Sequence, residues 1–587
     1  MIFEAFSIIE KCVLKWFSNL SGSDLEGIGL KKESVIRTTK SLCPECYRIL
    51  DAAIYEDNGK IYIKKRCPEH GEFVDIYFGD SKMYYKFERF SAPPRRISGT
   101  NVEYRNPCPF SCGLCQIHMN QTALANIVVT NRCDLQCWYC FFYAEKAGFV
   151  YEPSIETIVK MVRILKRQGP WTPNAVQLTG GEPLLRDDLV DLIRALREEG
   201  LVHIQLNTNG INIVRIWLEK GKEAAVEYVR RIRDAGTNTI YLSFDGVSPR
   251  ANPKNHWEIP FILEAFREAG MTSVVFVPTV IRGQNTDELG EIIRFAAENM
   301  EVVRGVNFQP ISLTGSVPRD QREKLRITIP DVIKLIEKQT DGQIGKDAWY
   351  PVPWTYGLSN FIEAFTGKPQ ISMVTHFVCG AATYVYPHIR KKNGHKMVIG
   401  FTPITEFVDV EAAYDYFESK ARYLAKAGGL RRKLRKIRVA ISILLSIGKF
   451  IDYSRAPPDL ELRKILRRII FRRSYSALGD FHYKMLFLGM MHFMDLYNYD
   501  ISRVMRCCIH YLTPDGRVIP FCAFNVLPDI YRDRIQAEYG VPVEEWAKIH
   551  GYNKIGSKIK YVRDTKRLEG SELYRRYYYN YLSDWEK

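Results

Sequence analysis

The sequence predicts an α/β fold: a partial (β/α)6 barrel of parallel strands, with an N-terminal rubredoxin- or zinc-ribbon-like module and a C-terminal α+β region. Three observations predict it. Between residues 125 and 314, apolar strand-like runs alternate with runs of helical period. Upstream, two short cysteine knuckles flank a stretch that alternates like a hairpin. Downstream of about residue 330 the strand–helix alternation stops, although cysteines continue. At 587 residues the chain is too long for one hydrophobic core, so several domains are expected.

Residues 1–30 are expected to hold an amphipathic helix, because Phe6, Ile9, Val13, Trp16, Phe17 and Leu20 recur at helical spacing. Residues 31–100 form the ribbon module. Cys43-Pro-Glu-Cys46 and Cys67-Pro-Glu-His70 each offer two ligands, and Asn58-Gly59 between them marks a hairpin turn. Two such knuckles close a tetrahedral mononuclear site for zinc or iron, with Cys43, Cys46, Cys67 and His70 as ligands. Full coordination suits a structural role or an electron relay. In residues 101–124, Cys108, Cys112 and Cys115 follow a Cys-x3-Cys-x2-Cys spacing that suits a [4Fe–4S] cluster. No buried strand leads into this run, so it reads as an auxiliary cluster.

The barrel is expected over residues 125–330. Its strands are predicted at 125–131, 175–179, 202–207, 239–244, 274–281 and 305–311, and its helices at about 154–168, 186–199, 223–235, 258–269 and 286–299. The first strand runs into Cys133, Cys137 and Cys140, again spaced Cys-x3-Cys-x2-Cys. Three thiolates occupy three corners of a cubane [4Fe–4S] cluster and leave one iron open. The second strand runs into Gly180-Gly-Glu-Pro183. Functional groups on parallel barrels sit at C-terminal strand ends, where this chain carries Asn207, Ser243 and Gln309.

Residues 331–587 are expected to hold further cluster ligands. Cys507, Cys508 and Cys522 flank a hairpin with its turn at Pro514-Asp-Gly516, and Cys379 lies upstream. Cys379, Cys522 and one of Cys507 and Cys508 are assigned to a second auxiliary cluster; the other of the pair would complete the Cys108 cluster. Fourteen cysteines without a secretory signal favour metal ligation over disulfides. The formal net charge is +16, and residues 420–473 hold 17 Lys and Arg against three acids, which accounts for +14 of it. Basic amphipathic helices are predicted there, with aliphatic faces and few aromatics. That composition points to an anionic membrane surface and argues against nucleic acid. No apolar run reaches the ~18 residues of a spanning helix. The expected location is therefore cytoplasmic, peripheral to the inner face of the cell membrane.

Cys133-Asp-Leu-Gln-Cys-Trp-Tyr-Cys140 after a buried strand, with Gly180-Gly-Glu-Pro183 after the next, resembles the signature of the radical S-adenosylmethionine (SAM) superfamily. The resemblance implies a radical SAM barrel in which the open iron chelates SAM, and SAM cleavage yields a hydrogen-abstracting 5′-deoxyadenosyl radical. It implies that the backbone at Gly180 and Gly181 binds the SAM amine. Glu182, Asn207 and Ser243 would contact the amine or ribose, Tyr139 the adenine, and Gln309 would complete the cofactor-binding set. The wider pattern resembles the archaeal tetraether lipid synthases: the knuckle pair, the Cys108 run before the SAM motif, and Met491–Asn498 followed by Arg506-Cys-Cys-Ile-His510 and Pro520-Phe-Cys522. That resemblance implies C–C coupling of isoprenoid chains on an archaeol-type membrane phospholipid, with an external electron donor such as ferredoxin or flavodoxin. The alternatives are a mid-chain cross-link in a tetraether, or radical modification of a peptide or a tRNA.

Overall fold

The computed structural model describes residues 34–141, 147–315, 317–426, 428–465, 468, 476–555 and 561–585. The amphipathic helix expected within residues 1–30 lies outside these, as does most of the basic segment between residues 466 and 473.

The ribbon is a four-stranded antiparallel sheet in chain order: β1 (Val35–Leu42), β2 (Ile49–Asp57), β3 (Lys60–Cys67) and β4 (Gly71–Phe78). Asn58 and Gly59 both adopt positive φ and make the tight β2–β3 turn, as their residue types dictate. The β1–β2 and β3–β4 connections therefore emerge at the opposite end, side by side. They are the two knuckles.

The second sheet carries the site. Its centre is six parallel strands paired in chain order: β5 (Leu124–Thr130), β6 (Ala175–Gly180), β7 (His203–Thr208), β8 (Thr239–Ser243), β9 (Val274–Val277) and β10 (Val303–Pro310). Helices Ile155–Leu165, Leu189–Glu198, Lys222–Ala235, Ile259–Ala269 and Leu289–Glu298 alternate with them. Their buried aliphatic faces pack into one core with the strands. Two details differ from the pattern reading. The predicted 274–281 strand breaks at Pro278, which has no N–H to give the ladder, and a two-residue piece at Thr279–Val280 continues it. Ile211–Lys220 is a helix that its β-branched residues did not announce, bounded by Gly210 and Gly221 at positive φ.

The C-terminal region extends this sheet at both edges. Here β11 (Gly380–Lys392) pairs antiparallel with β12 (His395–Pro403) and with β13 (Leu486–Met491), and β13 lies parallel to β10. At the other edge β14 (Ile509–Leu512) lies parallel to β5 and forms the predicted hairpin with β15 (Val518–Pro520). An open parallel sheet has two edges whose unpaired groups need cover, and these strands provide it. The Tyr-rich tail packs on the helix side, where Tyr574 and Tyr578 enclose His256. Helix Gly429–Ser446 forms in the basic segment as predicted. Among the described residues no helix is long and apolar enough to cross a membrane.

Candidate active site

The ribbon knuckles converge. Among the described residues, the ligand atoms of Cys43, Cys46, Cys67 and His70 all lie within 4.8 Å of one another. The Cys46–Cys67 sulfur separation is 3.9 Å, and His70 Nδ1 is 3.5 Å from Cys67 Sγ and 3.7 Å from Cys43 Sγ. Tetrahedral zinc–thiolate geometry sets an edge of about 3.8 Å, so the four donors fit a mononuclear metal. Tyr47 at positive φ closes the first knuckle, and its N–H donates to the Cys43 carbonyl. The ribbon is pinned to the C-terminal region by buried polar contacts. Arg37 ion-pairs with Asp500 at 2.6 Å, and buried Lys65 donates to the Leu496 carbonyl at 2.6 Å.

A cavity of about 310 Å³ opens at the C-terminal ends of the parallel strands. Its wall includes every residue of the expected SAM site: Cys133, Cys137, Cys140, Tyr139, Gly180, Gly181, Glu182, Asn207, Ser243 and Gln309. Three thiols, a Gly-Gly-Glu-Pro turn and strand-end polar groups thus share one space, which fits a cluster with an open iron and a small sulfonium ligand. Strands from β14 through β13 all contribute to the wall, so the sheet wraps the cavity.

Local geometry explains the glycines. The Gly180–Pro183 turn lies directly against the chain entering the Cys133 loop. Gly181 N–H donates to the Thr130 carbonyl at 2.8 Å, and Glu182 N–H to the Arg132 carbonyl at 2.7 Å. Arg132 braces the loop from beneath, donating to the carbonyls of Leu185 and Lys554 and pairing with Glu152.

Glu182 is fully buried. Its carboxylate accepts from the N–H groups of Leu184 (2.9 Å) and Asn209 (2.7 Å) and from the Thr208 hydroxyl (2.6 Å). Burial still dominates, and with Asp134 nearby it pushes the carboxyl up to about 8 from 4.5. Between these values the folded chain holds a proton that the unfolded chain has released. Stability contributed by this group is therefore complete below 4.5 and lost as pH rises through about 8. Glu182→Gln should flatten that fall, read as denaturant midpoints compared across the window. An unchanged slope in the variant would assign the proton to another group.

Sequence reasoning missed several residues. Asp245 accepts a hydrogen bond from the Tyr139 hydroxyl and pairs with buried Lys254 at 2.7 Å, tying the cysteine loop to the end of β8. Asp134 accepts from Asn209 Nδ2 at 2.8 Å. Asp245 was visible as a strand-end acid; Lys254 left no signal, since it comes from a loop. Of the later cysteines, Cys379 accepts from Arg503 Nε at 3.3 Å. Cys507 and Cys508 lie just before β14 and Cys522 just after β15, at one end of the hairpin. Each is buried enough to raise its thiol.

Residues 127–296 match the model of the radical SAM superfamily, and residues 35–79 match the HMPTM N-terminal zinc ribbon domain. Over 529 residues the chain is 44% identical to a 7,8-dihydro-6-hydroxymethylpterin dimethyltransferase of Methanocaldococcus jannaschii, covering 89% of this chain and 98% of that one. The chain belongs to that enzyme's family, within the radical SAM superfamily. More distant relatives match over shorter stretches. A molybdenum cofactor biosynthesis protein 1 from Mus musculus is 29% identical across 38% of this chain and 34% of its own length. A GTP 3',8-cyclase from Marinobacter nauticus is 26% identical across 36% of this chain and 60% of its own. A solved structure of BtrN with AdoMet and 2-DOIA is 16% identical, covering 32% of this chain and 71% of that one, with a TM-score of 0.20, too remote to bear on the site.

Membership of this family establishes radical SAM enzyme chemistry, with SAM and a [4Fe–4S] cluster as cofactors and a further metal in the ribbon. It overturns the lipid expectation. The near-full-length relative is named for a pterin and for methyl transfer, not for coupling isoprenoid chains. The archaeol-type phospholipid and the anionic membrane surface fall with it as partners. The lipid expectation rested on a resemblance in cysteine pattern, and a cysteine framework fixes metal sites without specifying what else a cavity takes; the basic Gly429–Ser446 stretch likewise specifies a helix and not a substrate.

Proposed function

We propose that this chain methylates a pterin-type heterocycle by radical SAM chemistry, most closely a 7,8-dihydro-6-hydroxymethylpterin, at up to two positions. The observation that carries the reading is the chemistry of the cavity wall. Beside the cysteine loop, amide and hydroxyl side chains project from several strands: Asn126 on β5, Gln177 on β6, Tyr241 on β8, and Asn307 and Gln309 on β10. A pterin edge presents alternating ring nitrogens, an amine and a carbonyl, which such groups pair with. Asn126 Oδ1 is buried and has no hydrogen-bond partner among the described residues, an acceptor available to an amine or ring N–H. A volume of about 310 Å³ lies in the range of small-molecule sites.

In this reading Cys133, Cys137 and Cys140 would hold three irons of the cluster, which with one SAM and an electron from the external reductant supplies the 5′-deoxyadenosyl radical that removes a hydrogen from the substrate; the methyl would come from a second SAM, which leaves as S-adenosylhomocysteine, with a second electron from the reductant closing the balance. The Gly180–Glu182 backbone and Glu182 orient the SAM amine, Asn207 and Ser243 its ribose side, and Tyr139 its adenine, with Asp245 fixing the Tyr139 hydroxyl. Gln309 lies on the far wall. The sheet acts as a partial barrel over residues 125–330, and the ribbon at 31–100 holds zinc or iron as a structural module. Cys379 and Cys522 with one of Cys507 and Cys508 supply a second metal group beside the cavity. Excluding water from the buried wall keeps the radical on its target.

The test is anaerobic incubation of the reconstituted protein with SAM, a low-potential reductant and 7,8-dihydro-6-hydroxymethylpterin. Mass spectrometry should show singly and then doubly methylated pterin together with 5′-deoxyadenosine. Formation of 5′-deoxyadenosine with no methylated pterin would reject the substrate while leaving the radical chemistry intact.

A further inference from the structure

The Cys108 loop meets a fourth donor that its spacing does not announce. Cys108, Cys112 and Cys115 line a small pocket closed by Val504 and Met505, and His118 lines it with them. No other histidine or cysteine among the described residues does so, and neither Cys507 nor Cys508 reaches this wall. The cysteine loop itself is anchored, since Cys112 N–H donates to the Tyr531 hydroxyl at 3.1 Å and that hydroxyl donates to the Pro109 carbonyl.

A backbone carbonyl sets the His118 tautomer. His118 Nε2 lies 2.9 Å from the Cys507 carbonyl oxygen and 3.1 Å from His510 Nε2, and His510 Nδ1 is 2.9 Å from Thr122 Oγ1. The carbonyl can only accept, so His118 carries its proton on Nε2 and its lone pair on Nδ1. A metal-ligating histidine is held in this way, with one ring N–H committed to a carbonyl and the other nitrogen free for the metal.

We propose that Cys108, Cys112, Cys115 and His118 together hold a [4Fe–4S] cluster whose fourth corner is imidazole Nδ1. This cluster has no vacant iron, so despite sharing the Cys-x3-Cys-x2-Cys spacing of the Cys133 loop it does not chelate SAM. A neutral imidazole in place of a thiolate leaves the cluster less negative and easier to reduce. The inference rests on reading the Cys108 loop as a cluster loop, and the experiment separates the two claims.

The full chain carrying Cys133→Ala, Cys137→Ala and Cys140→Ala is reconstituted with iron and sulfide, reduced, and examined by pulsed electron paramagnetic resonance. A strong histidine nitrogen coupling is expected. Adding His118→Cys should abolish that coupling, retain the iron and shift the reduction potential downward. Adding Cys108→Ala instead should remove about four irons per chain. Iron lost with Cys108→Ala but no nitrogen coupling at the outset, or a coupling that survives His118→Cys, overturns the histidine ligand alone. Iron content unchanged by Cys108→Ala overturns the cluster as well, and an electron paramagnetic resonance-silent zinc site does the same.

Discussion

Replacing any one of Cys133, Cys137 and Cys140 with alanine should abolish reductive cleavage of SAM and lower bound iron by about four per chain. The three thiols share the cavity wall with Gly180, Gly181 and Glu182, so a cluster held by them would present its open iron to the turn proposed to bind SAM. Burial is the leading influence on Cys133 and Cys137, raising the Cys133 thiol well above its ordinary value and the Cys137 thiol to about 11. Nearby Asp134 adds to the effect on Cys133, while Lys254 opposes it on Cys137. Thiolates in this place are therefore costly without metal, and loading the cluster must expel protons. Two remaining cysteines cannot compensate for a lost corner in so buried a loop. The readouts are 5′-deoxyadenosine by chromatography and iron by assay. Undiminished 5′-deoxyadenosine in the variants would move SAM cleavage to another cysteine set, the Cys108 loop first.

Gly181→Ala should be the most damaging small substitution in the barrel, with Gly180→Ala close behind. A Cβ on Gly181 would lie 2.0 Å from the Arg132 carbonyl oxygen and 2.5 Å from its carbon. A Cβ on Gly180 would lie 2.0 Å from the Thr130 carbonyl oxygen, at φ +145, where side chains are strained in any case. The obstacle in both cases is backbone, which cannot rotate aside. The turn must lift off the cysteine loop, breaking the Gly181–Thr130 and Glu182–Arg132 hydrogen bonds. Overpacking of 1–3 kcal/mol and two hydrogen bonds at about 1 kcal/mol each give a loss on the order of 4 kcal/mol. Gly283→Ala is the control: it has positive φ but nothing within 4 Å, so only backbone strain of about 1 kcal/mol is expected. Denaturation midpoints and cluster retention check the pair. A Gly181→Ala protein as stable as the control would mean that the turn and the cysteine loop are not in contact.

The strand and cysteine patterns were legible because each is local. Val- and Ile-rich runs bounded by helical periods located all six parallel strands to within a few residues. The knuckles were legible because two residues of spacing constrain two ligands to one turn, and Asn58-Gly59 places both turns at one end of the ribbon. The break at Pro278 was readable in principle from the missing N–H, whereas the Ile211–Lys220 helix was hidden by β-branched residues that favour strands in isolation. The lipid expectation came from a resemblance in cysteine pattern, to which the basic segment added a membrane-facing helix; neither pattern contains the strand residues that line the cavity. The cavity wall is instead assembled from a few residues on each of several strands from Leu124 to Tyr511, and no window of sequence contains it.

Order along the chain was thus enough to determine the parallel strands, the ribbon and the three-thiol loop, since each follows from backbone period, turn chemistry or ligand spacing within a short stretch. Tertiary structure alone decided that the C-terminal strands cover both sheet edges, that Asp245 and Lys254 meet Tyr139, and that His118 meets His510 and the Cys507 carbonyl. Those contacts join side chains across long separations, and the force that selects them is the burial of polar groups that must find partners once water is excluded.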